Sequence, residues 1–186
     1  MSKNCPNVAV LVGSLSKESI NRKLALAIQK IAGARAQFHF VALDDLPVYN
    51  RDIDAAYPEN YQRLKKDIES ADAVLFVTPE NNRSVPAVLK NAIDIASRPW
   101  GKNSFAHKPG AVIGTSTGAI GTALAQQHLR NICVFLDIYM MAQPESFIRF
   151  TEGLVAADAA ITDDGTRGFL EGFVNSYLAW IQRFIQ

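Results

Sequence analysis

The chain has few of the residues that hold disulfide-rich or zinc-stabilised folds together. Its 186 residues include only two cysteines, Cys5 and Cys133, and three histidines. A disulfide framework or a structural zinc site needs more thiols or imidazoles at close spacing. We therefore predict no metal site, a buried and small apolar role for Cys133, and an exposed position for Cys5.

The chain also lacks an excess of charge of either sign. Nineteen basic and 18 acidic residues leave a net charge of +1, which gives no electrostatic reason to expect nucleic acid or an anionic membrane surface as partner. The longest apolar run, residues 132–142, is interrupted by Asp137 and is too short to span a bilayer. Residues 1–7 lack the apolar segment of a signal peptide. We expect a soluble, cytoplasmic protein.

The composition is that of a globular chain, with 48% hydrophobic and 20% charged residues, which argues against disorder. Without repeats or linkers, residues 1–186 are predicted to form a single domain. Short apolar runs, predicted to be strands, occur at residues 8–12, 37–43, 73–78, 108–115 and 139–142. Helical spacing separates them, and the nearly continuous apolar runs are typical of a parallel sheet covered on both faces.

Several side chains have predicted places in these elements. Ser84 is expected to cap the third helix, with Pro86 in its first turn. The fourth helix is expected to pack through four residues, namely Leu124, Leu129, Ile132 and Cys133. The last helix carries aromatic residues at helical spacing, which favours core contacts: Phe169, Phe173, Tyr177, Trp180 and Phe184. The long loop at residues 44–58 is of a kind that is often functional.

Three of the strand-to-helix loops are rich in glycine, serine, threonine or asparagine. They follow the first, third and fourth strands and span residues 13–21, 79–86 and 114–121. In an open parallel sheet these loops share the carboxyl edge, where ligands bind at the point at which the strand order reverses. Their convergence is the main functional signal in the pattern of the sequence.

The first loop offers Ser14, Ser16, Ser19 and Asn21 at the start of a helix. It has neither the GxGxxG dinucleotide fingerprint nor the GK[ST] lysine of a Walker loop. Hydroxyl groups and helix amides with few charges suit a phosphate monoester held by neutral donors. In the alternative interpretation, Ser19 or Asn21 only caps the first helix.

Three segments resemble the signature segments of the NADPH-dependent FMN reductase family, in its branch of quinone and chromate reductases. They are GSLSKESINRKLA, TPENNRSVPAVLKNAID and GTSTGAIGTALAQQHLR, and the resemblance covers residues 8–145. The sequence departs from the usual family pattern at two positions. Ser16 stands where the family has an arginine, and Asn81 stands where it has a tyrosine.

The resemblance implies a flavodoxin-like three-layer α/β/α sandwich with a five-stranded parallel sheet in the order 2-1-3-4-5. It also implies non-covalent FMN. Ser14, Ser19 and Asn21 would bind the FMN phosphate, with Ser16 beside them. The rest of the flavin would lie along the other two loops, at Pro79, Glu80, Asn81, Asn82, Ser116 and Gly118.

The implied activity is hydride transfer from NADPH or NADH to FMN, followed in a ping-pong cycle by reduction of a quinone or a similar acceptor such as chromate, an azo or a nitro compound. We assign no catalytic acid or base. Family members similar to this chain form dimers or tetramers, and Arg130 and Glu145 are candidates for an intersubunit ion pair in a homodimer or homotetramer.

Two other functions remain open. Because Ser16 and Asn81 weaken the expected site, the chain is alternatively a flavin-binding redox sensor or regulatory module without reductase turnover. An electron-transfer flavodoxin is disfavoured, since the chain is not strongly acidic and its first loop lacks a TxTGxT-like motif.

Overall fold

The computed structural model describes residues 5–185, so the first four residues of the N-terminal stretch considered above lie outside the described part. All five predicted strands are confirmed, and a short sixth strand follows them. The strands are β1 (Asn7–Val12), β2 (Gln37–Phe40), β3 (Ala73–Val77), β4 (Pro109–Ser116), β5 (Tyr139–Met140) and β6 (Phe147–Arg149). The α-helices are α1 (Ile20–Ala32), α2 (Glu59–Glu69), α3 (Ala87–Ala96), α4 (Ala123–Phe135) and α5 (Asp164–Ile181).

The strands form one parallel sheet in the order β2-β1-β3-β4-β5, which confirms the order implied by the resemblance. The apolar run of β1 is buried on both faces because its side chains alternate between two layers of helices. Val8 and Val10 pack in one core with α1 and α5. Ala9 and Leu11 pack in a second core with α2, α3 and α4. The sheet is thus the middle layer of a three-layer sandwich.

The sixth strand extends the same edge as β5. Strand β4 pairs with β5 through Pro109 and Gly110, and with β6 through residues 114–116. Both pairings are parallel, so β5 and β6 together form an edge strand that residues 141–146 interrupt. The three-residue β6 carries too little periodicity to be recognised in the sequence, whereas β5 was predicted from the apolar run at residues 139–142.

Two predicted positions in helices are wrong. Helix α3 is capped by Pro86 rather than Ser84, whose backbone pairs instead with Asn81. Leu124 is 36% exposed, because α4 faces the sheet through Ala125, Leu129 and Cys133, which are spaced four residues apart and fully buried.

The aromatic stripe of the last helix is only half buried. Phe173 and Tyr177 lie in the core, whereas Phe169 is 40% exposed. Leu170, Val174 and Ile181 complete the buried face of α5, which turns Phe169 outward, and Phe184 lies beyond the end of this helix and is partly exposed. Among the cysteines, burial of Cys133 is confirmed, and Cys5 is partly buried rather than exposed.

The long loop at residues 44–58 is fixed to the helices beneath it. The Asn91 side chain accepts a hydrogen bond from the Tyr49 backbone amide and donates one to the Pro47 carbonyl, at 2.8 and 2.9 Å. Tyr61 Oη donates to the same Pro47 carbonyl. These hydrogen bonds attach the loop to α2 and α3 and so give it a structural role. Within residues 5–185, no helix has both the length and the apolar character needed to cross a membrane.

Candidate functional site

A cavity of about 250 Å³ opens where the loops after β1, β3 and β4 meet. It therefore lies at the carboxyl edge, between β1 and β3, where the strand order reverses. Seven of the ten predicted site residues line it: Ser14, Ser16, Ser19, Asn21, Pro79, Glu80 and Ser116.

Close approach of the second and third loops depends on a glycine. A Cβ atom at Gly114 would lie 2.1 Å from the Thr78 carbonyl oxygen and 2.3 Å from Thr122 Oγ1, distances that no side chain tolerates. Glycine lets the ends of β3 and β4 lie side by side, and their loops therefore open into the same cavity.

Asn21 joins the first loop to the third. Its Nδ2 donates to the Thr115 carbonyl at 2.9 Å, and its Oδ1 accepts from the Thr115 amide at 3.0 Å. The side chain is 2% exposed. Asn21 therefore holds the two loops in register, and any direct contact with phosphate would use the second Nδ2 hydrogen.

Ser19 reconciles the two interpretations of the first loop. Its Oγ accepts from the Arg22 amide at 3.1 Å and caps α1, as the alternative interpretation predicted. A hydroxyl that accepts one hydrogen bond keeps its own proton to donate. Ser19, 5% exposed on the cavity, can therefore cap the helix and donate to an anion together.

Ser14 and Ser16 complete the hydroxyl lining beside the helix start. The Ser16 amide lies 3.4 Å from Ser14 Oγ, a long contact that curls the loop around the cavity. Within residues 5–185, the side chains lining this cavity include no lysine or arginine. Hydroxyl donors and the positive end of α1 are groups that suit a phosphate monoester.

Glu80, more than 40 residues earlier in the chain, caps the start of α4. Its Oε2 accepts from the backbone amides of Leu124 and Ala125, both at 3.0 Å. Thr122, at the start of that helix, has a left-handed backbone and makes no side-chain capping bond. The carboxylate is thus held against the positive end of a helix, where it is stabilised.

Asn81 and Asn82 lie beside the cavity rather than in its lining. The backbones of Asn81 and Ser84 hydrogen-bond reciprocally at 3.1 and 3.0 Å, with Asn82 and Arg83 at φ 51° and 61° between them. Two central residues with positive φ form a tight hairpin turn. Arg83, at its exposed tip, does not line the cavity.

The hairpin is also tied to α4. Ser84 Oγ lies 3.0 Å from His128 Nδ1, a serine–histidine hydrogen bond that the sequence did not reveal. Among the described residues, His128 bonds to no carboxylate, so the pair is not part of a triad. The same part of the chain contains no group of three or more metal-ligating side chains.

Ser116, which is partly buried, ends β4, and Gly118 lies in the exposed part of the third loop. Ser116 Oγ accepts from the Gly118 amide at 3.1 Å, and Ser116, unlike Gly118, lines the cavity. The structure adds four lining residues that sequence reasoning missed: Glu18, Ile20, Thr115 and Thr117. Both threonines were in the quoted GTSTG segment, and their position at the end of a strand was a usable signal.

Arg130 is bound within its own chain, and the described residues include no ion pair between Arg130 and Glu145. Arg130 Nη1 donates to the Met141 carbonyl at 2.9 Å. Burial lowers the pKa of the Arg130 guanidinium, and the negative charge of Glu145 offsets part of this effect. Among the described residues, the buried Nε atom of Arg130 has no hydrogen-bond partner.

Comparison with known proteins places these features in context. The profile of a family described as NADPH-dependent FMN reductase matches residues 6–153. A 2-hydroxy-1,4-benzoquinone reductase from Burkholderia sp is 49% identical over 175 residues, covering 94% of this chain and 96% of that protein. A quinone reductase from Pseudomonas putida is 46% identical over 177 residues, covering 95% of each.

A solved structure supports the same relationship. The flavoenzyme NAD(P)H:(acceptor) oxidoreductase from Paracoccus denitrificans superposes with a TM-score of 0.94 at 49% identity. The match covers 97% of this chain and 100% of that one. Sequence and fold thus agree over nearly the whole length, including all three loops.

Proposed function

This chain belongs to the NADPH-dependent FMN reductase family, and we propose that it transfers a hydride from NAD(P)H through FMN to a quinone. One observation carries the proposal: three loops converge on one hydroxyl-lined cavity in a chain 46–49% identical to quinone reductases. Bound FMN would supply the carrier that takes up the hydride and passes it on.

In this scheme, the residues of the chain bind FMN and orient it. Ser14, Ser16 and Ser19 would donate to the phosphate beside the N-terminus of α1. Asn21 fixes the distance between the first and third loops through Thr115. Pro79 and Glu80 would lie along the flavin mainly through backbone groups, since the Glu80 carboxylate is engaged by α4.

Steady-state kinetics with FMN, NADPH and a benzoquinone test this proposal. A ping-pong cycle predicts parallel lines in double-reciprocal plots, because the oxidised nucleotide leaves before the quinone enters. Intersecting lines would contradict that order.

Ser19→Ala is expected to raise the FMN dissociation constant about 10-fold, because one hydrogen bond to a charged group is lost. The control variant Ser176→Ala changes an exposed serine and should leave the dissociation constant unchanged.

The flavin-binding module without turnover is the second candidate. Ser16 and Asn81 motivate it, since neither provides the arginine or the tyrosine usual in the family. Tight FMN binding without NADPH or NADH oxidation would establish this function and overturn the reductase. Chromate, azo and nitro acceptors enter the proposal only as further substrates to be compared with the quinone in the same assay.

We also propose that the chain forms a homodimer or homotetramer in which Arg130 and Glu145 contribute to the interface. The C-terminal end of α4 supports association, because Val134 and Phe135 are 79% and 66% exposed there. In sedimentation velocity, Arg130→Ala should shift the protein to smaller species, whereas Arg51→Ala should not. An unchanged assembly in the Arg130→Ala variant would contradict the proposal.

A cytoplasmic location is part of the same proposal. Dependence on a reduced nicotinamide nucleotide supports it, and so do the two unpaired cysteines, which are typical of a reducing compartment. Fractionation of the source cells tests this location, and recovery of the protein outside the cytoplasmic fraction would contradict it.

A further inference from the structure

A second and larger cavity lies on the other side of the first loop. Its volume is about 510 Å³, within the usual range of small-molecule sites. It opens beyond the carboxyl ends of β1 and β2, and it shares Ser14 and Ser16 with the smaller cavity at which the three loops meet. The first loop therefore forms a wall between two cavities.

The floor of this second cavity is apolar. Val12, Val41 and Leu43 are 7%, 7% and 4% exposed, and the half-buried ring of Phe40 lies beside them. The Arg22 guanidinium carbon lies 5.3 Å from the centroid of the Phe40 ring, within cation–π range. An apolar surface is thus combined with a positive group at its margin.

Unpaired charges surround the floor. Within residues 5–185, the side chains of Lys17, Arg22 and Asp44 form no ion pair and no hydrogen bond. The nearby Lys23 differs, since its Nζ pairs with Glu18 at 3.0 Å. Two cations and one carboxylate leave the cavity with one uncompensated positive charge, which favours an anionic ligand.

We propose that this cavity binds the adenosine end of NADPH. The adenine would pack on the apolar floor at Phe40, Lys17 and Arg22 would bind the 2′-phosphate, and Asp44 would accept a hydrogen bond from a ribose hydroxyl. In the Rossmann dinucleotide fold, which has the GxGxxG loop that this chain lacks, an acidic residue binds the adenosine ribose and a nearby arginine accommodates the 2′-phosphate. Asp44 and Arg22 offer the same side-chain chemistry at this cavity. This inference rests on the proposed function, and it assigns the choice of nucleotide to the first loop.

Binding of 2′,5′-ADP to the FMN-loaded protein, measured by isothermal titration calorimetry, tests the inference. We expect 2′,5′-ADP to bind more tightly than 5′-AMP and to compete with NADPH. Lys17→Gln and Arg22→Gln should each weaken 2′,5′-ADP binding about 3–10-fold, as expected for the loss of one partly exposed charge-assisted contact. Lys23→Gln removes the same charge from the same helix region outside the cavity and should have little effect.

Two results would overturn the inference. One is equal affinity for 5′-AMP and 2′,5′-ADP, and the other is equal weakening by Lys17→Gln, Arg22→Gln and Lys23→Gln. An FMN titration of each variant verifies that the first loop still folds. Failure of the wild-type protein to load FMN, or to oxidise either NADPH or NADH, contradicts the proposed function instead, and 2′,5′-ADP binding to the flavin-free protein then tests the cavity by itself.

Discussion

Asn21 has the most direct energetic effect on the geometry of the site. Its amide satisfies both backbone groups of Thr115 in a buried position. A buried carbonyl or amide that loses its partner costs about 1–3 kcal/mol, more than the net contribution of the hydrogen bond itself. The distance between the first and third loops therefore depends on this one side chain.

We predict that Asn21→Ala lowers the free energy of unfolding by about 2–4 kcal/mol, because both Thr115 groups are left without a partner. Urea denaturation of the flavin-free protein measures this change independently of any ligand. The exposed Asn131 provides a matched control, for which Asn131→Ala should stay within about 0.5 kcal/mol of wild type. Equal stability of the two variants would show that the Thr115 contacts contribute nothing.

The role of Asn21 also shows what the sequence left undetermined. The motif predicted a ligand-facing residue, because an asparagine at the start of a helix after a serine-rich loop has the donors for phosphate. Its partner, Thr115, is 94 residues further along the chain, and no local pattern links the two. The same holds for Ser84 and His128, which are 44 residues apart.

At the scale of elements, α4 begins without a local cap and depends on the second loop. Glu80 supplies the missing acceptor for the first amides of the helix. Because Glu80 also lines the cavity at which the three loops meet, the start of α4 and the shape of that cavity are coupled through one side chain.

We predict that Glu80→Ala destabilises the protein by about 1–2 kcal/mol, the usual effect of removing a helix cap. Glu80→Gln keeps an acceptor but loses the charge, so it should cost only about 0.3–1 kcal/mol. Urea denaturation of both variants, with the exposed Glu171→Gln as control, measures the difference. A Glu80→Ala variant as stable as wild type would refute the capping role.

Helix α5 has a local cap with a pH-dependent contribution. The Asp163 carboxylate accepts from the Thr166 amide at 2.7 Å. Hydrogen bonding by the Thr166 side chain, and then by this amide, lowers the pKa of Asp163. Since the folded-state pKa lies below the unfolded value, the stabilisation is complete above about pH 4, the ordinary value for aspartate. It is lost as the pH falls through the folded-state pKa.

Melting temperatures as a function of pH test this cap. We expect Asp163→Ala to melt below wild type at pH 7, and the difference to shrink as the pH falls below about 4, where wild type also loses the carboxylate. Asp163→Asn should restore most of the stability at pH 7, because asparagine is a comparable cap. A difference between wild type and Asp163→Ala that is constant with pH would contradict this prediction.

At the scale of the whole molecule, the architecture could be predicted from strands whose apolar runs are buried throughout. The apolar runs of β1 and β3 require helices on both faces, and the structure confirms the parallel sheet. The predictions that are missing or wrong concern a segment too short to show periodicity and residues at the edge of a buried helix face. Strand β6 has only three residues, and Leu124 and Phe169 border a buried helix face without belonging to it.

The arrangement of the whole sheet explains why the site needs residues from distant segments. Three loops reach one edge because β1, β3 and β4 are adjacent and parallel, so their carboxyl ends coincide. Hydride transfer through a flavin requires binding and orientation more than acid–base chemistry. A cavity of hydroxyl groups and helix termini, without a triad among the described residues, is suited to that task.

The visible spectrum of the purified protein tests this account most directly. After incubation with FMN and removal of the excess, the protein should retain the flavin absorbance. Anaerobic NADPH should bleach it, and a benzoquinone should restore it. A colourless protein that cannot be loaded would contradict the FMN site, and a bound flavin that neither NADPH nor NADH reduces would contradict the reductase.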